Sequence, residues 1–166
     1  MFELKSLSTE GIVAALEKAL RYRLLNEPRE AESICRDILE VDPKNHKALT
    51  TLILALTDQL ATKGAKCGHE ARSLLPHLED EYEEAYYAGI VCERRANAQL
   101  SGQNPGSGFI AHDLLHEAME WYEKAEKVRP AGNDDAILRW NTCARLIMES
   151  EHIRPHPEDD SQPMLE

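Results

Sequence analysis

Apolar residues return every three or four positions along most of this chain, the spacing that places them on one face of an α-helix. Ile12, Val13, Leu16, Leu20 and Leu24 form the first such stripe, on a helix beginning near Thr9. Asn26-Glu27-Pro28 then supplies a cap and a proline whose fixed φ suits a first helical turn. Ala31, Ile34, Cys35 and Ile38 continue a second helix to Val41, where Asp42-Pro43 stops it. A third opens at Asn45 and carries Ala48, Leu49, Leu52, Ile53, Leu56 and Leu60 up to the break at Lys63-Gly64. The fourth is weaker. Ala71, Leu74, Leu75 and Leu78 mark it, Gly68 weakens its start, and Pro76 kinks or ends it because proline lacks the N–H and clashes with the preceding turn.

Tyr82, Ala85, Tyr86, Gly89, Ile90, Ala96 and Leu100 define a long fifth helix. The glycine-, proline- and serine-rich stretch over 101–108 then reads as a loop. Leu114, Leu115, Ala118, Met119, Tyr122, Ala125 and Val128 mark a sixth helix up to Pro130. Asn133 caps a seventh, with Asp134 and Asp135 complementing the helix dipole and Ala136, Ile137, Trp140, Cys143, Ala144 and Ile147 on its apolar face. No window alternates strictly as a half-buried strand would. The expectation is an all-α domain of about seven antiparallel helices over residues 1–150. The polar, proline-rich residues 151–166 have little to bury and are expected to form a disordered acidic tail.

Within the second helix, Ala31, Cys35, Ile38 and Pro43 follow one another at intervals of four, three and five residues. Ala118, Tyr122, Ala125 and Pro130 repeat those intervals in the sixth, and Gly64, Gly68, Ala71 and Pro76 do so in degraded form. Pro43 and Pro76 lie 33 residues apart, while Pro76 and Pro130 are separated by one period plus an insertion. This pattern of small, bulky, small and proline resembles the second-helix signature of the tetratricopeptide repeat family, whose period is about 34 residues. The first-helix half is less well kept: Ala19 and Tyr22 fit, but Ala15 and Lys18 stand where the family prefers Trp and Leu. Trp140 occupies a small-residue position, which makes the seventh helix a cap on the stack.

The resemblance implies an all-α, helical-repeat superhelix, a stack of helix pairs whose first helices line a concave groove that takes a partner peptide or helix. Some members of the family capture a C-terminal carboxylate with Lys, Arg and Asn on the first helices. Val13, Leu16 and Leu20 occupy the corresponding face here, so that clamp is not expected. The residues assigned to partner binding are Thr50 and Asp58 on the third helix, Tyr87, Arg94 and Asn97 on the fifth, and Asn141 and Arg145 on the seventh. Tyr and Arg are over-represented at binding hot spots, where large contact area combines with directed hydrogen bonds.

Charge narrows the class of partner. The 166 residues carry a formal net charge of −11, which disfavours nucleic acid and anionic membrane and suits a protein or peptide. No stretch has the length of a signal peptide or approaches the roughly 20 apolar residues of a membrane span, so the expected location is cytoplasmic. Cys35, Cys67, Cys92 and Cys143 are scattered without CxxC pairs, as expected of reduced structural thiols.

The catalytic signals are few. His112 and His116 stand one turn apart, the spacing of a helical metal pair, and Glu120 follows one turn further, but the HExxH acid is missing. The loop lacks the Gly-Lys-Ser/Thr of a phosphate cradle and joins two helices. These residues therefore predict a non-enzymatic interaction module without a cofactor. Its alternatives are a small acidic secretion-type tetratricopeptide chaperone, a metal-binding enzyme or sensor using His112 and His116, and a homodimer formed through the aliphatic first helix.

Overall fold

The computed structural model describes residues 2–157, which form helices, turns and loops with no strand among them. The α-helices are α1 (Ile12–Leu24), α2 (Pro28–Val41), α3 (His46–Asp58), α4 (Leu60–Lys63), α5 (Ala65–Leu74), α6 (Glu81–Gly102), α7 (Ser107–Val128) and α8 (Asp135–Glu149). Among the described residues there are thus eight, where about seven were expected. The extra one arises because the third stripe breaks at Gln59. Its buried side chain turns back to donate to the Ala55 carbonyl at 3.0 Å and reaches Glu32 on α2 at 2.6 Å, leaving Leu60–Lys63 as a separate turn.

Local chemistry sets the other boundaries. Asn26 adopts a left-handed φ of 59° just past α1, and the amides of Asn26 and Glu27 return to the carbonyls of Arg23 and Tyr22. That is the Schellman closure, so Asn26 ends α1 rather than capping α2. Asn45 Oδ1 accepts from the Ala48 amide at 3.0 Å and starts α3. Pro76 falls in a 3₁₀ turn directly after α5. The loop expected over 101–108 narrows to 103–106, because left-handed Gln103 and Gly106 turn the chain fully between α6 and α7.

Packing runs along the chain: α2 lies against α1 and α3, α5 against α3, and α7 between α6 and α8, with α6 and α7 making the most extensive contact. Ala31, Cys35, Ile38, Ala71, Ala118, Tyr122 and Ala125 all have no exposed surface and lie in the contacts between helices, whereas Gly64, Pro43, Pro76 and Pro130 of the same pattern are exposed. One apolar cluster joins α1, α2, α3 and α5, and another joins α6, α7 and α8. Helix α6 belongs to both, turning Ala88 and Val91 to the first and Ile90, Cys92 and Ala96 to the second. The four cysteines are free and buried, and burial pushes the thiols of Cys35 and Cys143 up to about 12 and that of Cys92 up to about 11.

Two regions differ in burial from the sequence pattern. In α1 the buried residues are Ile12 and Ala19, whereas Val13, Leu20 and Leu24 are 69%, 42% and 89% exposed. Neighbours cover α1 on one side only, and its stripe is wider than that side. The tail expected over 151–166 lies outside the described residues from 158 onward. Its first part packs on α7: Ile153 is buried, His152 stands 3.2 Å from the Ser107 hydroxyl, and the His156 ring stacks on Phe109 at 4.5 Å.

Candidate partner-binding face

Helices α1, α3, α6 and α8 are tied together by charge across one face of the molecule. Arg23 on α1 donates to Asp58 at the end of α3 at 2.8 Å, and Arg94 on α6 reaches the same carboxylate from the other side. Arg94 also donates to the Thr57 hydroxyl at 2.8 Å and the Leu54 carbonyl at 3.2 Å. Burial draws its pKa below the usual arginine value; Asp58 opposes that shift, and the positive charges of Arg23 and Arg139 add to it. One residue earlier, Glu93 is only 6% exposed. It accepts from Arg139 of α8 at 3.1 Å and from the Tyr122 phenol of α7 at 2.6 Å. Burial followed by the Glu93 charge holds that phenol well above the ordinary tyrosine range.

Two cavities open beside these pairs, and both are lined by Asn97. One, of about 230 Å³, lies between α3, α4 and α6 and includes Asp58, Arg94 and Ser101. The other, of about 280 Å³, has Leu115, Cys143 and Leu146 as apolar walls and Glu93, Thr142, Arg145 and Glu149 as polar ones. Each is large enough for one or two side chains of a partner, with apolar wall to bury and polar groups to orient it.

Of the seven residues assigned to partner binding, Asp58, Arg94, Asn97 and Arg145 come together at these two cavities. Thr50 and Tyr87 do not. Thr50 is buried with its hydroxyl on the Lys47 carbonyl, and the Tyr87 phenol packs beside it, raised by burial and by the Glu83 charge. Asn141 lines a separate hollow of about 750 Å³ at the α7–α8 end with Trp140, Glu123 and Arg129. Glu93 and Arg139 were not singled out in the sequence, yet each carried a signal. Glu93 falls between Gly89 and Ala96, and Arg139 between Ala136 and Cys143, on the buried faces of their helices. A charge on an apolar stripe needs a partner, and these two are each other's.

The imidazoles of His112 and His116 lie side by side, ring centres 4.4 Å apart, with His112 Nδ1 3.3 Å from Asp113. Glu120 does not complete a set with them: among the described residues no group of three or more His, Cys, Asp or Glu could hold a metal ion. No described helix is long and apolar enough to cross a membrane. No family model, curated protein or solved structure matches this chain.

Proposed function

We propose that this chain is a non-enzymatic protein-interaction module of the tetratricopeptide type, which takes a peptide or helix of a partner protein along the face shared by α3, α6 and α8. The observation that carries this reading is the pair of cavities meeting at Asn97, which gathers four separately assigned residues from three helices. Arg23, Asp58, Arg94, Glu93 and Arg139 spend their charges on one another, so they fix the spacing of the helices. Exposed Asn97, Thr142 and Arg145 remain for the partner.

The test is selection of a displayed peptide library on the immobilised protein, with the enriched peptides then mapped by amide chemical shifts. Shifts centred on Asp58, Asn97 and Arg145 are expected. Asn97→Trp, which fills the junction, and Arg145→Glu should each weaken binding by about tenfold or more while helical circular dichroism stays the same. Arg94→Glu is a poor probe because it breaks the bridge to Asp58. Peptides that map to the α7–α8 hollow or to α1 would overturn the placement.

A further inference from the structure

The side of α1 that faces away from the rest of the molecule carries an apolar seam interrupted by one charge. Val13, Leu20 and Leu24 follow at spacings of seven and four residues, which aligns them in one seam, and Leu25 beyond the helix is 60% exposed. Glu17 sits within the seam and Arg21 one turn on, along its flank. Neither is in an ion pair among the described residues, although Arg23 on the opposite flank is held by Asp58.

We infer that this seam is a homodimer contact in which α1 of a second copy packs antiparallel across a two-fold axis. The charges select that arrangement. In an antiparallel pair each flank meets its own counterpart running the other way. With the axis at the level of Ala19, Glu17 of each copy stands opposite Arg21 of the other, so both ion pairs form at once. Val13 then faces Leu24 and Leu25 of the second copy, and Leu20 packs near the axis. A parallel pair would set the Glu17–Arg21 flank against the flank of Leu16 and Arg23, whose charge is already used. The second copy thus supplies both the apolar surface that α1 lacks in the single chain and the counter-charges that its flank lacks.

One helix pair lies at the low end of specific interface sizes, so the expected association is weak and is sought by sedimentation velocity from about 10 µM to 1 mM. The wild type should shift from one chain mass to two across that range. Leu20→Glu, at a surface position, should remain monomeric with its helical circular dichroism intact. Glu17→Arg sets four like charges together and should also abolish the dimer, while Glu17→Arg combined with Arg21→Glu exchanges the partners and should restore it. A wild type monomeric at 1 mM overturns the inference, as does a dimer indifferent to Leu20→Glu, which would place the contact elsewhere. Failure of the double exchange to restore association overturns the antiparallel pairing.

Discussion

Gly89 shows how closely α6 and α7 approach. A Cβ built there would collide with Cε1 of Tyr122 and come within 2.6 Å of Cδ1 and 2.9 Å of Cζ. The ring cannot swing away, because it is completely buried and its hydroxyl is tied to Glu93. Two effects oppose each other in Gly89→Ala. Alanine raises helix propensity by about 1 kcal/mol, whereas overpacking a fixed core costs typically about 1–3 kcal/mol. The tethered ring puts this site at the costly end, so the expected result is a net loss of about 1–2 kcal/mol and a fall of several degrees in Tm. Shrinking the obstacle in Gly89→Ala/Tyr122→Leu should make the alanine less harmful than it is alone, and a double-mutant cycle measures that coupling. A Tm raised by Gly89→Ala would contradict the close approach. In the sequence Gly89 is only one more small residue on a stripe; the need for glycine depends on a ring 33 positions away and is not legible locally.

At the scale of elements, Glu32 joins three pieces of helix. From α2 it accepts from Gln59 at the α3–α4 junction, from Arg36 one turn away at 2.8 Å, and from Lys63 of α4 at 3.3 Å. Burial, the largest single influence, raises its pKa. The bonds from Gln59, Arg36 and Lys63 together outweigh burial and hold it below the ordinary carboxylate value of 4.5. The native state therefore prefers the ionised form more than the unfolded chain does. That preference stabilises the fold above the ordinary carboxylate range and is lost as pH falls through it. In Glu32→Gln, unfolding free energy at neutral pH should drop, and the loss of stability as pH falls through and below the ordinary carboxylate value of 4.5 should be shallower than in the wild type. Parallel pH curves from urea titrations would remove Glu32 from that role. The helices that end at Asp42-Pro43, Lys63-Gly64 and Pro130 were legible because those stops are chemical and local. The break at Gln59 was not, since the glutamine is turned by an acid 27 residues away; the aliphatic face of α1 was legible, but not how much of it the neighbouring helices cover, since periodicity names a face without saying what packs on it.

For the molecule as a whole, α6 decides whether the two apolar clusters unfold as one unit. Val91 is fully buried and directed to the first cluster, its neighbours Ile90 and Cys92 to the second, and Tyr87 and Trp121 pack against both. Two clusters that share a packed helix open separately when the surface they share is weak, so that surface sets cooperativity. Here that surface is chiefly α6, with Ala88 and Val91 on one side and Ile90, Cys92 and Ala96 on the other, and both tryptophans, Trp121 and Trp140, lie on α7 and α8. Circular dichroism reads every helix, whereas tryptophan fluorescence reads the second cluster and its border. With the joint intact, the two signals should give coincident urea transitions. Val91→Ala removes two methyls from the joint, at a cost of about 1–3 kcal/mol by the scale of buried large-to-small substitutions. The circular dichroism midpoint should then fall further than the fluorescence midpoint, because the cavity opens in the first cluster while the contacts of Tyr122, Leu115 and Cys143 stay in place. Transitions that already separate in the wild type would mean that α6 does not couple the halves. Transitions that move together in the variant would mean that the coupling runs through more than this helix, with the ion pair from Arg72 of α5 to Glu117 of α7, at 2.8 Å, as the next to cut.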